Sequence, residues 1–88
     1  MPEKESMEYD VLLDIIGEIR MRKIQEVVEA TSDEEKEQLR RELRVITEEE
    51  RIMQGMRSFP QADVVRESVA DKIRNQYAPQ LKAEYARL

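Results

Sequence analysis

Apolar residues recur every three or four positions between Tyr9 and Val28, which is the period of an α-helix and not of a β-strand. Several of them form adjacent pairs, so the apolar stripe is wide, as expected for a helix that packs against two neighbours. Gly17 lies within the stripe; it either marks a close helix crossing or is tolerated at a cost of about 1 kcal/mol relative to alanine. The pattern predicts a first helix over residues 7–30, preceded by a flexible lead over residues 1–6.

A second helix is predicted to begin directly after Ser32. The four residues SDEE that start there have the form of a capping box, with a hydroxyl at the N-cap and a carboxylate three residues later. Apolar residues at steps of three, four and seven then continue to Met53, which predicts a helix over residues 33–57. Two alternatives stay open. One continuous helix could run through the boundary, which contains neither glycine nor proline, and a second capping pattern at Thr47 could break helix 2.

Two prolines divide the remainder of the chain. Pro60 disfavours helix at the residue before it and suits a first helical turn, so a third helix is predicted over residues 61–78. Pro79 predicts a kink or break, because proline lacks the N–H of the helical ladder. A short tail helix over residues 80–88 is predicted to follow it, with the bent end of the third helix as the alternative.

These elements predict a single all-α domain with a three-helix architecture and a short tail helix. The short connection between helices 1 and 2 predicts a long antiparallel helical hairpin, with each helix roughly 35 Å long. Aromatic residues are 5 % of the chain, and a core this thin favours oligomerisation. We therefore predict a homodimer in which two hairpins form a four-helix core and the third helix packs across it.

The apolar seam of the hairpin is the candidate surface for a second copy or another protein partner. It comprises Leu12, Leu13, Ile16, Ile19, Leu39, Leu43, Ile46, Met53, Met56 and Phe59. The last three form a candidate adhesive corner at the end of helix 2, since methionine is common on adaptable binding surfaces.

Composition argues against catalysis. The chain has no histidine and no cysteine, which removes the commonest acid–base and nucleophilic side chains and the usual zinc ligands. It also has no glycine-rich phosphate loop, so we predict no enzyme activity, no cofactor and no metal. The absence of cysteine and of any long apolar run predicts a cytoplasmic protein that does not enter a membrane, in a bacterium or a phage.

Basic residues on helices 1 and 2 suggest a second function. They are Arg20, Arg22, Lys23, Arg40, Arg41 and Arg44, which an antiparallel hairpin could bring into one patch. Such a patch would suit nucleic acid, although a net charge of −5 and the lack of interleaved aromatic residues oppose it. The preferred function is a non-catalytic protein-interaction module, such as an adaptor, regulator or assembly protein; a nucleic-acid-associated regulator and a small helical enzyme are the alternatives.

Overall fold

In the computed structural model, the described residues are 2–55 and 62–87, and these contain helices and turns but no β-strand. The elements in chain order are α1 (Pro2–Glu29), α2 (Asp33–Met53), α3 (Ala62–Lys72), a π-helical turn (Ile73–Tyr77) and α4 (Ala78–Ala86). Because α3, the π-helical turn and α4 follow one another without a break, we call them together the C-terminal helix. The predicted all-α fold is confirmed.

The first helix begins earlier than the sequence predicts. α1 starts at Pro2, so the predicted lead over residues 1–6 is helical from its second residue. Proline suits the first position of a helix, because the N–H that it lacks would have no partner there. Glutamate, lysine and methionine, which favour helices, fill most of the segment. The prediction of a separate lead is therefore wrong.

The boundary between the first two helices forms as predicted. α1 ends at Glu29, and the extended backbone of Ser32 (φ −106°, ψ 151°) places it at the N-cap of α2. The Glu35 N–H donates a hydrogen bond of 3.1 Å to Ser32 Oγ, which is the interaction expected of a capping box. One continuous helix through this boundary is excluded. α2 also passes Thr47 without a break, as preferred.

α2 ends at Met53, four residues before the predicted end at residue 57. The cause is Gly55, which has φ +74° and donates its N–H to the Ile52 carbonyl at 3.1 Å. A left-handed glycine directly after the last turn is a common way to end a helix. Met56, predicted to lie in the last turn of the second helix, and Pro60, predicted to precede the third, lie outside the described residues.

The chain stays helical through Pro79, so of the two predicted alternatives the separate tail helix does not form and the residues after Pro79 continue the third helix. One turn earlier the helix widens, and the Ala78 N–H donates to the Ile73 carbonyl, a bond that spans five residues instead of four. Proline in a regular helix clashes with the carbonyl of the preceding turn, and a wider turn relieves that clash. The predicted third and tail helices are thus one C-terminal helix.

The C-terminal helix packs against one side of the antiparallel α1–α2 hairpin. The fold is thin, with principal extents of 46 × 33 × 16 Å. Its core contains Leu12, Ile16 and Ile19 of α1, Ile46 and Met53 of α2, and Val69, Ala70, Ile73, Tyr77 and Leu81 of the C-terminal helix. A core built from one layer of contacts on one side of the hairpin leaves the other side of the hairpin uncovered by the described residues.

Candidate interaction surface

The predicted apolar seam is divided between the core and the surface. Buried in the core of the single chain are Leu12, Ile16, Ile19, Ile46 and Met53. Leu13 is half-buried and packs against that core, whereas Leu39 and Leu43 are half-buried without belonging to it. Met56 and Phe59 lie outside the described residues. A partner that docks on the folded chain therefore meets Leu39 and Leu43, and not the five core residues.

Two of the predicted patch cations lie between α1 and α2. Arg20 Nε lies 2.8 Å from Glu50 Oε1, and Lys23 Nζ donates to a Glu42 carboxylate oxygen at 2.8 Å. A methyl group at Gly17 would lie 3.6 Å from Glu50 Oε2, which is ordinary contact, so the crossing does not require glycine there. Burial lowers the pKa of Lys23, but the hydrogen bond to Glu42 and the nearby carboxylates raise it overall.

The third cation of α1 holds the end of the C-terminal helix. Arg22 Nε donates to Glu18 at 3.2 Å within α1, and its guanidinium also pairs with Glu84 of α4. The same guanidinium lies 5.1 Å from the centroid of the Tyr85 ring, in cation–π geometry. All three α1 cations of the predicted patch are thus engaged inside the chain.

The arginines of α2 are arranged differently. Arg40, Arg41 and Arg44 are exposed, as is Arg51, and within residues 2–55 and 62–87 none of them forms an ion pair. Spacings of four and seven residues place Arg40, Arg44 and Arg51 within about 40° of one another around the helix, while Arg41 is turned away. We call these three residues the arginine row. The predicted six-residue patch does not form, because only its α2 half remains free on the surface.

A small cleft lies where α1, α2 and the C-terminal helix meet. Its volume is about 230 Å³, and its floor includes Ile19, Ile46 and Tyr77, with Lys23 and Lys72 at its rim. Pockets for small-molecule ligands usually hold about 300–1,000 Å³. Both lysines already donate to glutamates, so neither is free to recognise an anion.

Tyr77 anchors the π-helical turn to α2. Its hydroxyl donates to Glu49, whose other carboxylate oxygen accepts from Lys72 Nζ at 2.6 Å. Lys72 also lies 5.2 Å from the centroid of the Tyr77 ring. Burial, together with the bond to Glu49, raises the pKa of Tyr77 to about 12. The phenol therefore stays neutral near pH 7 and acts as a structural donor.

The side of the hairpin opposite the C-terminal helix forms a continuous exposed surface, which we call the open face. On α1, Asp14, Met21 and Val28 follow one another at steps of seven and lie on one side, with Asp10 beside them. On α2 the face carries the arginine row and the half-buried Leu43. Met21 is 56 % and Val28 is 72 % exposed, so the face combines apolar and charged residues.

Sequence reasoning did not identify the open face. Val28 was assigned to the predicted apolar stripe of α1 and Met21 to its side, and Arg51 was not included in the predicted patch. The seven-residue spacing of Asp14, Met21 and Val28 was visible in the sequence, but which side the C-terminal helix covers was not.

The described residues offer little for metal or membrane chemistry. Among them, no group of three or more acidic residues is arranged to hold a metal ion. No helix in residues 2–55 and 62–87 combines the length and the apolar character needed to cross a bilayer. Comparison of the chain with protein-family models, with curated proteins and with solved structures found no match.

Proposed function

We propose that the chain is a non-catalytic protein-interaction module that acts as a homodimer in the cytoplasm. The observation that supports this most strongly is the apolar surface on the open face. Val28 is 72 % exposed, and Leu43 is only half-buried although it lies in the seam of the hairpin. Surface of this kind, continuous along two helices and flanked by charged residues, is typical of a protein-binding site.

The chemistry of the described side chains supports a non-catalytic role. Both lysines at the rim of the cleft are bound to glutamates, so neither is free to bind an anionic substrate. Tyr77 holds its proton at neutral pH, so it is a poor general base. The chain has no histidine or cysteine to replace it, and the lack of cysteine also fits a reducing compartment such as the cytoplasm.

Light scattering behind a sizing column tests self-association directly. We expect a mass that approaches twice 10.5 kDa as the concentration rises, at both low and high salt. Leu43→Asp should shift the protein to the monomer, because it places an unpaired charge in the apolar interface. Circular dichroism would show whether that variant keeps its helices.

Val64→Asp is the matched control, since Val64 is 67 % exposed on α3, across the fold from the open face. It should leave the mass unchanged. A wild-type mass of 10.5 kDa at every concentration would refute the homodimer. So would an oligomeric state and melting temperature of Leu43→Asp equal to those of the wild type.

The arginine row supports a second candidate function, association with nucleic acid. Three exposed arginines on one helix face, none paired within the described residues, suit contacts to phosphates. The fluorescence anisotropy of a labelled DNA duplex would test it. Binding that weakens steeply with salt supports this function, and no binding at low salt refutes it.

A further inference from the structure

We infer that the open face binds the open face of a second copy, with Arg51 of each subunit against Asp14 of the partner subunit and with Met21 and Val28 around the partner's Leu43. The inference rests on the proposed homodimer and names the surface and the contacts that form it. It identifies which residues set the orientation of the two copies, and it gives a role to charges that have no ion-pair partner within residues 2–55 and 62–87 of the single chain.

The charges of the open face are sorted between its two helices. Among the side chains of α1 from residue 8 onward, the exposed charges of the face are Asp10 and Asp14, both acidic, because Arg20, Arg22 and Lys23 are paired elsewhere. On α2 the centre of the face carries the arginine row, with Glu37 and Glu48 beside it. The face therefore has an acidic edge and a basic edge, which run along neighbouring antiparallel helices.

This sorting selects one of the two symmetric ways to pack the faces. A two-fold axis perpendicular to the helices would lay α2 on the α2 of the partner subunit and bring the two arginine rows together. A two-fold axis parallel to the helices lays α1 on the α2 of the partner subunit, so that the two arginine rows are apart and Asp14 faces the α2 of the partner subunit. Like charges across an interface are strongly unfavourable, so the parallel axis is preferred.

The register of the hairpin brings specific residues to the same level. Lys23 of α1 pairs with Glu42 of α2, and Arg20 pairs with Glu50, so these residues lie at the same height along the hairpin axis, which we call a level. Because the helices are antiparallel, two residues at the same level have residue numbers that add up to about 65–70. Rotation about an axis parallel to the helices does not change the position along the helices, so a residue of α1 meets residues of the partner's α2 at the same level.

In that register Asp14 lies close to the level of Arg51 of the partner subunit, within the reach of an arginine side chain. Met21 and Val28 lie on either side of the level of the partner's Leu43. The interface therefore has an apolar middle with an ion pair at one end.

The area is sufficient for a reversible dimer. α2 is 21 residues long, or roughly 30 Å, and two helix diameters are roughly 20 Å wide, which gives about 600 Å² of face on each subunit. Stable interfaces bury about 1,200–2,000 Å² in total, so the open face reaches the lower end of that range. We expect a dimer that dissociates on dilution.

A charge exchange between two variants tests the contact. The first variant carries Arg51→Glu, and the second carries Asp14→Arg. Both residues are exposed in the single chain, so the fold should survive. Each variant alone places like charges at both symmetric contacts and should raise the dimer Kd at least about tenfold at low salt.

An equimolar mixture restores opposite charges at both contacts and should form a 1:1 heterodimer. A chain that carries both substitutions should form a homodimer again. The matched control, Arg41→Glu, makes the charge change of the first variant at an exposed position outside the open face and should dimerise like the wild type.

Sedimentation equilibrium of each sample separates the outcomes. Monomeric single variants with a heterodimeric mixture establish the contact. Variants that dimerise as well as the wild type overturn this inference while leaving the proposed homodimer standing. A wild type that stays monomeric overturns both. If only the first variant is impaired and it also loses binding to a DNA duplex, the arginine row serves nucleic acid and the inference fails.

Discussion

Replacement of Gly17 by alanine should stabilise the protein. Gly17 lies within α1, where glycine costs about 0.8–1.0 kcal/mol relative to alanine. The added methyl group would lie 3.6 Å from Glu50 Oε2, an ordinary contact that requires no displacement. We therefore expect Gly17→Ala to raise the free energy of unfolding by about 1 kcal/mol, which corresponds to a melting temperature about 4–8 °C higher for a chain of 88 residues.

The second glycine provides the matched comparison. Gly55 has φ +74°, and a methyl group there would lie 3.1 Å from Arg66 Nη2. The arginine side chain can shift, but the left-handed backbone costs a non-glycine residue about 1–2 kcal/mol. Gly55→Ala should therefore lower the melting temperature, so that one type of substitution has opposite effects at the only two glycines of the sequence.

Thermal unfolding followed by circular dichroism, at one protein concentration for all samples, measures both effects. Urea unfolding of the same samples gives the free energies. A Gly17→Ala variant less stable than the wild type would refute the reasoning, since it would mean that the α1–α2 crossing is too close for a methyl group. A Gly55→Ala variant as stable as the wild type would contradict the left-handed backbone conformation of Gly55 after the end of α2.

Three further predictions follow from single residues. Ile73 is fully buried, so Ile73→Ala should lower the free energy of unfolding, measured in urea, by about 2–5 kcal/mol. Val45 is half-exposed, so Val45→Ala should lower it by less than about 1 kcal/mol. Equal losses in the two variants would contradict the burial of Ile73 in the core. Ser32→Ala removes the N-cap of α2 and should cost about 1 kcal/mol, and an unchanged urea midpoint would count against the capping bond. The pKa of Tyr77 is raised to about 12 by folding, above the value near 10 of an unfolded tyrosine, so its contribution is complete below about pH 10 and is lost as the pH rises towards 12. Tyr77→Phe should lose less stability than the wild type between about pH 10 and 12, and equal losses would refute this assignment.

Local signals in the sequence predicted the helices well. The period of the apolar residues predicted α1 and α2, and the capping pattern at Ser32 predicted their boundary, because both depend on neighbours within one turn. The early end of α2 also had a local signal, Gly55, which was outweighed by the apolar residues that follow it. At Pro79 the sequence left a separate tail helix and the end of the third helix as alternatives; the structure has the second, because a π-helical turn can absorb a proline that would break a regular helix.

The candidate surface was harder to predict, because it depends on distant parts of the chain. The pair of Arg22 with Glu18 has a local signal, a spacing of four residues. Glu50, which pairs with Arg20, and Glu84, which also pairs with Arg22, are more than 25 residues away in sequence. Only the packing of the C-terminal helix decides which side of the hairpin is covered. A pattern of charges along one helix therefore cannot show which of them are paired within the fold.

Sedimentation equilibrium of the wild-type protein over a wide range of concentrations tests the central claim most directly. The account predicts that the average mass rises from 10.5 kDa towards twice that value as the concentration increases, because the open faces of two copies pair reversibly. A mass that stays at 10.5 kDa over the whole range would contradict it.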